Sequence, residues 1–144
     1  MAIQSIERRA ARKGAPAPGR RTVGAFHVNC SVENIAHRER QAVVPKLLVD
    51  TGSEYTWLPH DILSGIGVRR EKKDVQFVMA NGMTVSRGVG FAILRVGERF
   101  TVDEVVFAES GDLALLGART LEGLSLVVDS RRKKLVAAGP IPAA

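Results

Sequence analysis

Asn81-Gly82 stands between two short runs of largely alternating character, Val75-Gln76-Phe77-Val78-Met79-Ala80 and Met83-Thr84-Val85-Ser86-Arg87. Asn-Gly in that setting predicts a tight hairpin, because both turn residues tolerate positive φ. The same β pattern runs through the chain from Thr22 onward. Ala25 to Val32 places Phe26, Val28, Cys30 and Val32 on one face with period two. Glu33 to Arg40 reads as a hairpin loop, and Val43 to Val49 as a strand in which Leu47-Leu48-Val49 is buried on both faces. Pro45 lacks an N–H, so its part of the strand belongs at an edge or a bulge. Glu54 to Leu58 is a further strand, and Pro59 to Gly67 a short helix that Gly65 or Gly67 ends. Arg69 to Asp74 reads as a solvated connection. A second hairpin, Phe91 to Val96 and Arg99 to Phe107, turns at Gly97-Glu98. Leu113 to Leu116 is a short strand, Ala118 to Gly123 a helix, and Leu124 to Asp129 with Lys133 to Ala137 a last hairpin. No repeat of 20–50 residues is visible.

Charge divides the chain unevenly. The formal net charge is +6, but residues 1–21 hold Arg8, Arg9, Arg12, Lys13, Arg20 and Arg21 against Glu7. The rest is close to neutral, which argues against a folded face built for nucleic acid. The tail alone would give only salt-sensitive, non-specific attraction to RNA or a membrane surface. Its linker, Gly14-Ala15-Pro16-Ala17-Pro18-Gly19, predicts a flexible segment. The expected organisation is a basic flexible tail over 1–21, one domain over 22–138 and a flexible end over 139–144. The 144 residues, 45% of them hydrophobic, can bury a core without staples. One cysteine and three scattered histidines argue against a structural zinc site, and no metal or cofactor is expected. No apolar run approaches the roughly 20 residues that span a bilayer, and no apolar signal segment opens the chain. The expectation is a soluble, cytoplasmic protein with no membrane insertion.

The chemistry concentrates in Leu47-Leu48-Val49-Asp50-Thr51-Gly52-Ser53. An acid ends a buried apolar strand, where a carboxylate is costly unless hydrogen-bonded or paired. Gly52 lets the backbone turn and bring N–H groups to that carboxylate, and the hydroxyls can add bonds. The segment is built to hold one charge in a fixed place.

With these residues the chain resembles the retropepsin-like aspartic proteases. Asp50-Thr51-Gly52-Ser53 follows an apolar strand, the Asn81-Gly82 hairpin comes next, and Leu115-Leu116-Gly117 precedes a short helix. The three occur in family order, with Gly117 lying 67 positions after Asp50. The resemblance covers about Gly24 to Val136, and Leu115 to Val136 is similar to bacterial single-domain members. It implies an all-β fold: a closed retropepsin-like β-barrel with a flap hairpin and one or two short helices, half of a homodimeric acid protease. It also implies an aspartic endopeptidase acting on a peptide or protein substrate. Such enzymes need two aspartates that share a proton around one water, since adjacent carboxylates cannot both ionise comfortably. No second Asp-Thr/Ser-Gly occurs here, so Asp50 from each of two chains would have to meet at a twofold axis. By the same resemblance Thr51 bonds across that axis, Gly52 presents N–H to the carboxylate and Ser53 adds a hydroxyl bond. Ala80, Asn81 and Gly82 form the flap tip, and apolar lining would come from Val78, Met79, Met83 and Leu115. Glu54 matches a substrate-binding acid that pairs, in viral members, with an Arg directly after the apolar-apolar-Gly motif. Ala118 holds that place here, and a pair would have to use Arg119.

Other constellations fail on geometry. His27 and Cys30 are three apart on a strand and face opposite ways. Ser53, His60 and Asp61 have the composition of a serine triad, but no Gly-x-Ser-x-Gly elbow is present and His60 and Asp61 diverge on a helix. Tyr55 and Trp57 read as core or substrate wall, and Arg131-Arg132-Lys133-Lys134 as a solvated turn. The competing hypothesis is a catalytically silent domain of the same fold, serving dimerisation or peptide binding.

Overall fold

The computed structural model describes residues 25–143. The basic segment 1–21 lies outside the described residues. Nine strands and two short helices follow in the order β1 His27–Glu33, β2 Gln41–Val49, β3 Thr56–Pro59, α1 His60–Gly65, β4 Lys72–Val78, β5 Thr84–Val96, β6 Arg99–Ala108, β7 Leu115–Leu116, α2 Ala118–Gly123, β8 Leu126–Asp129 and β9 Lys134–Ala137. The main sheet runs β1-β2-β7-β3-β6-β5-β4, and β1 also pairs with β5. That extra pairing closes six strands into a ring, so the fold is an all-β barrel. β4 stays outside the ring, paired only with the first half of β5. No helix among the described residues is long and apolar enough to cross a membrane.

The interior follows from period two. Phe26, Cys30 and Val32 point inward and Val28 packs against them, as the alternation predicts. Leu47 and Val49 enter the same core, whereas Leu48 packs on the opposite face against a second cluster. This strand end is therefore apolar on both sides. Leu58, Leu94 and Leu116 are fully buried, each burial stabilising by about 2 kcal/mol. Pro45 lies at a bulge: Val28 pairs with Leu47 and Cys30 with Val44, leaving Pro45 and Lys46 opposite Asn29 alone. Lys46 takes φ 54° there, and its N–H donates to Asn29 Oδ1 at 3.2 Å. Gly67, at φ 82°, closes the turn after α1 with its N–H on the Ser64 carbonyl.

Three expectations are corrected. The runs Met83 to Arg87 and Phe91 to Val96, expected as parts of separate hairpins, join in one strand of 13 residues, β5, which starts at Thr84 and continues through Gly88 and Gly90. These two residues are small because the segment before β4 crosses over them. A Cβ on Gly88 would stand 2.7 Å from Arg70 Cδ, and one on Gly90 would collide with the Arg69 carbonyl oxygen. Arg69 to Asp74 is also not wholly a connection, since Lys72 already pairs with Val89 and begins β4. The last hairpin starts two residues later than expected because Leu124 caps α2 and Ser125 takes φ 55°.

Candidate active site

Asp50 follows β2 at the mouth of the barrel. Its backbone N–H donates to the Leu116 carbonyl at 3.0 Å, extending the parallel pairing of β2 with β7. The chain then turns sharply. Gly52 N–H donates to Asp50 Oδ1 at 2.9 Å, Ser53 Oγ to Oδ2 at 3.1 Å, and Ser53 N–H to the Asp50 carbonyl at 3.2 Å. Both carboxylate oxygens are thus oriented by their own loop. Asp50 is half-buried, Ser53 buried, and Thr51, Gly52 and Glu54 are exposed.

The far side of the loop is bolted to α2. The first N–H groups of a helix have no partner within it, and two of these reach the loop: Ala118 N–H donates to the Ser53 carbonyl at 2.8 Å and Arg119 N–H to that of Glu54 at 3.1 Å. Gly117 makes this approach feasible, because β7 threads between β2 and β3. A Cβ on Gly117 would run into the Tyr55 carbonyl. Beneath it lies a polar set that sequence reasoning missed. Gly117 N–H donates to Thr56 Oγ1 at 2.9 Å, Thr56 Oγ1 lies 2.6 Å from Thr120 Oγ1, and Thr120 donates to Asp103 Oδ2 at 2.9 Å. A polar residue at a core position of a short strand was the available signal for Thr56, but nothing in the sequence pairs it with Thr120.

The Glu54–Arg119 side-chain pair does not form. The Arg119 guanidinium lies 3.2 Å from Glu104 and 3.7 Å from Asp103, and it covers the Tyr55 ring at 4.8 Å. Lys72 reaches Glu104 at 2.8 Å. Lys72 chiefly, and Arg119, hold the Glu104 carboxyl below the usual glutamate value against the opposing effect of burial. Arg119 contacts Glu54 only through the backbone.

The Asn81-Gly82 hairpin forms with a different turn. Met79 N–H donates to the Met83 carbonyl and Gly82 N–H to that of Met79, both at 2.8 Å. Only Gly82 takes positive φ, 85°. This is a three-residue loop, Ala80-Asn81-Gly82, with glycine in the left-handed position. Asn81 Oδ1 accepts the Met83 N–H at 2.9 Å, a side-chain bond that replaces the need for a left-handed Asn. Ala80, Asn81 and Gly82 are all exposed. Val75, Phe77, Met79 and Val85 pack on a cluster formed by Trp57, Val89, Val106, Ala108 and Leu115. Phe77 meets the Trp57 ring edge-on at 5.1 Å and that of Tyr55 at 5.5 Å. Leu48 joins this cluster too, so the hairpin and the Asp50 loop rest on one apolar platform. Val78 and Met83 are exposed and lie outside this cluster. Arg87 anchors the hairpin base by two bonds to Asp112, at 2.6 and 2.8 Å.

A closed β-ring, an Asp-Thr-Gly-Ser turn at its mouth and a Leu-Leu-Gly strand threaded beside it define a retropepsin-like domain. The chain belongs to the retropepsin-like aspartyl protease family whose model is described as gag-polyprotein putative aspartyl protease, which matches residues 39–123. The match runs from the end of the β1–β2 loop through α2 and takes in Asp50, the hairpin tip and Gly117. No curated protein matches the chain.

Proposed function

We propose that the protein is an aspartic endopeptidase that works as a twofold homodimer, with water activated between two Asp50 carboxylates. The observation that carries this reading is the geometry of Asp50, whose two oxygens are held by Gly52 N–H and Ser53 Oγ at the exposed end of a barrel. One motif supplies one carboxylate, and a second copy supplies the other. In the pair, the ionised carboxylate takes a proton from the water as its oxygen bonds to the scissile carbonyl carbon. The protonated partner gives its proton to the carbonyl oxygen. Collapse of the resulting diol, with proton transfer to the amide nitrogen, breaks the C–N bond and releases an acid and an amine. Thr51, exposed beside the carboxylate, is suited to bond across the axis, and Glu54 to meet the substrate backbone. The tip Ala80-Asn81-Gly82 would close as a flap over an extended peptide and exclude water.

The test is Asp50→Asn, assayed on a peptide library alongside sedimentation of both proteins. Cleavage should fall at least about 10²–10⁴-fold while the melting temperature is kept, since the amide is near-isosteric but cannot act as base. Wild-type activity should follow a bell-shaped pH profile, because a fully ionised pair has no acid and a fully protonated one no base. Retained turnover in folded Asp50→Asn, or full activity of a strict monomer, would sink the reading. An inactive wild-type dimer would favour the silent module.

A further inference from the structure

Gly117 lies between the two residues that hold the Asp50 loop. Leu116 accepts the Asp50 N–H, and Ala118 donates to the Ser53 carbonyl. The N–H of Gly117 itself enters the buried set of Thr56, Thr120 and Asp103. Both threonines are 0% exposed. A hydroxyl carries a single proton. Thr120 gives its proton to Asp103, so it can only accept from Thr56, and Thr56 in turn accepts from Gly117. The chain of bonds therefore runs one way, from the Gly117 N–H to a carboxylate, and each hydroxyl has one direction available. Asp103 is fixed in its turn, with Oδ1 accepting the Glu104 N–H at 2.7 Å and lying 3.7 Å from Arg119. Cooperative polarisation along such a buried chain strengthens each bond.

We infer that Thr56, Thr120 and Asp103 are positioning residues for the Asp50 carboxylate, acting through the Gly117 backbone. This rests on the reading of Asp50 as the catalytic group. Were the threonines only filling space, an apolar isostere would serve equally well. With Thr56→Val the buried Gly117 N–H loses its acceptor, and the strand that holds Asp50 N–H is freed to shift. Displacements of about 1 Å made away from the chemistry can cost roughly 10²-fold in rate.

The experiment compares full-length wild type, Thr56→Val, Thr56→Ser and Leu63→Ala by amide exchange, NMR and peptide cleavage. Leu63 is the fully buried residue of α1 and no member of the Thr56 hydrogen-bonded set, so its truncation reports general destabilisation. In Thr56→Val, exchange at Gly117 and Asp50 should quicken roughly tenfold more than at Cys30 and Val32 in β1, and the Gly52 resonance should move. The kcat should fall about 10- to 100-fold, with KM within about twofold. Thr56→Ser should restore all of these, and Leu63→Ala should lower Tm while leaving kcat and the Gly52 resonance unchanged. Should Thr56→Val fail to fold, Asp103→Ala, which removes the terminal acceptor at the half-buried end, should give the same signature. Uniform exchange changes, or an equal kcat loss in Leu63→Ala, would overturn the inference. If wild type cleaves nothing, the peptidase reading falls, and the local exchange and Gly52 responses still decide the positioning role.

Discussion

Gly117→Ala isolates the close approach that seats the Asp50 loop. Gly117 is extended, at φ −96° and ψ 176°, a conformation alanine adopts freely, so only space is at issue. The added Cβ would stand 2.6 Å from the Tyr55 carbonyl carbon and 2.8 Å from the Glu54 oxygen. Carbon atoms settle at about 3.5–4.0 Å, so the two backbones would have to part by about 1 Å. The obstructing atoms are main-chain, and no side-chain rotation relieves them. Overpacking of this kind costs about 1–3 kcal/mol. Parting the strands also breaks or weakens the bonds from Gly117 to Thr56, Ala118 to Ser53 and Arg119 to Glu54, each worth about 1 kcal/mol. A loss of about 3–5 kcal/mol follows, against a typical total of about 5–15. Urea unfolding with a common slope would measure it. Gly65→Ala is the control: nothing lies within 4 Å of its Cβ position, and the change at the end of α1 should stay within about 0.5 kcal/mol or stabilise slightly. A Gly117→Ala cost under about 1 kcal/mol would refute the steric argument.

Two further predictions concern titration. Burial pushes the Glu33 carboxyl up, but bonds from Arg95 and Arg38, each at 3.1 Å, outweigh this and hold it below the ordinary value of 4.5. A lowered native value means stability that is complete above 4.5 and lost as pH falls through the folded value. Glu33→Gln should thus cost about 2 kcal/mol at neutral pH, with Arg95 dominating because Arg38 is largely exposed, and chemical unfolding should show the difference from wild type vanishing in acid. Burial pushes the Cys30 thiol up from 9.0 to about 11, against a smaller lowering by a backbone bond. Its contribution is complete below the unfolded value, so the difference between wild type and Cys30→Ala should shrink as pH rises from 9.0 toward 11. A pH-independent difference would show that Cys30 ionises equally in both states.

Local features of the fold were legible because local physics decides them. Period two assigned Phe26, Cys30 and Val32 to the core, the missing N–H of Pro45 marked the bulge, and Leu47-Leu48-Val49 declared a strand covered on both faces. Ring closure was expected through the family resemblance alone, not through local pattern. It depends on β1 meeting β5 and on β7 entering between β2 and β3, and no short-range pattern distinguishes those pairings from others. Met83 to Arg87 and Phe91 to Val96 read as separate strands for a related reason: nothing local shows the segment that crosses Gly88 and Gly90 between them.

The site divides along the same line. Asp50, Gly52 and Ser53 make their bonds within four consecutive residues, so the motif itself carried the geometry. The support comes from far along the chain. Thr56 and Thr120 are 64 positions apart, Arg87 and Asp112 are 25 apart, and Arg119 finds Glu104 rather than Glu54 because its backbone is already committed to the loop. This commitment has a consequence for the side chain. With Arg119 N–H fixed on the Glu54 carbonyl and Tyr55 beneath the guanidinium, the side chain extends along β6, where Asp103 and Glu104 wait, and Glu54 is left at the exposed rim. On the proposed peptidase reading an acid at that rim would meet an incoming peptide, while the backbone N–H groups of Ala118 and Arg119 brace the loop.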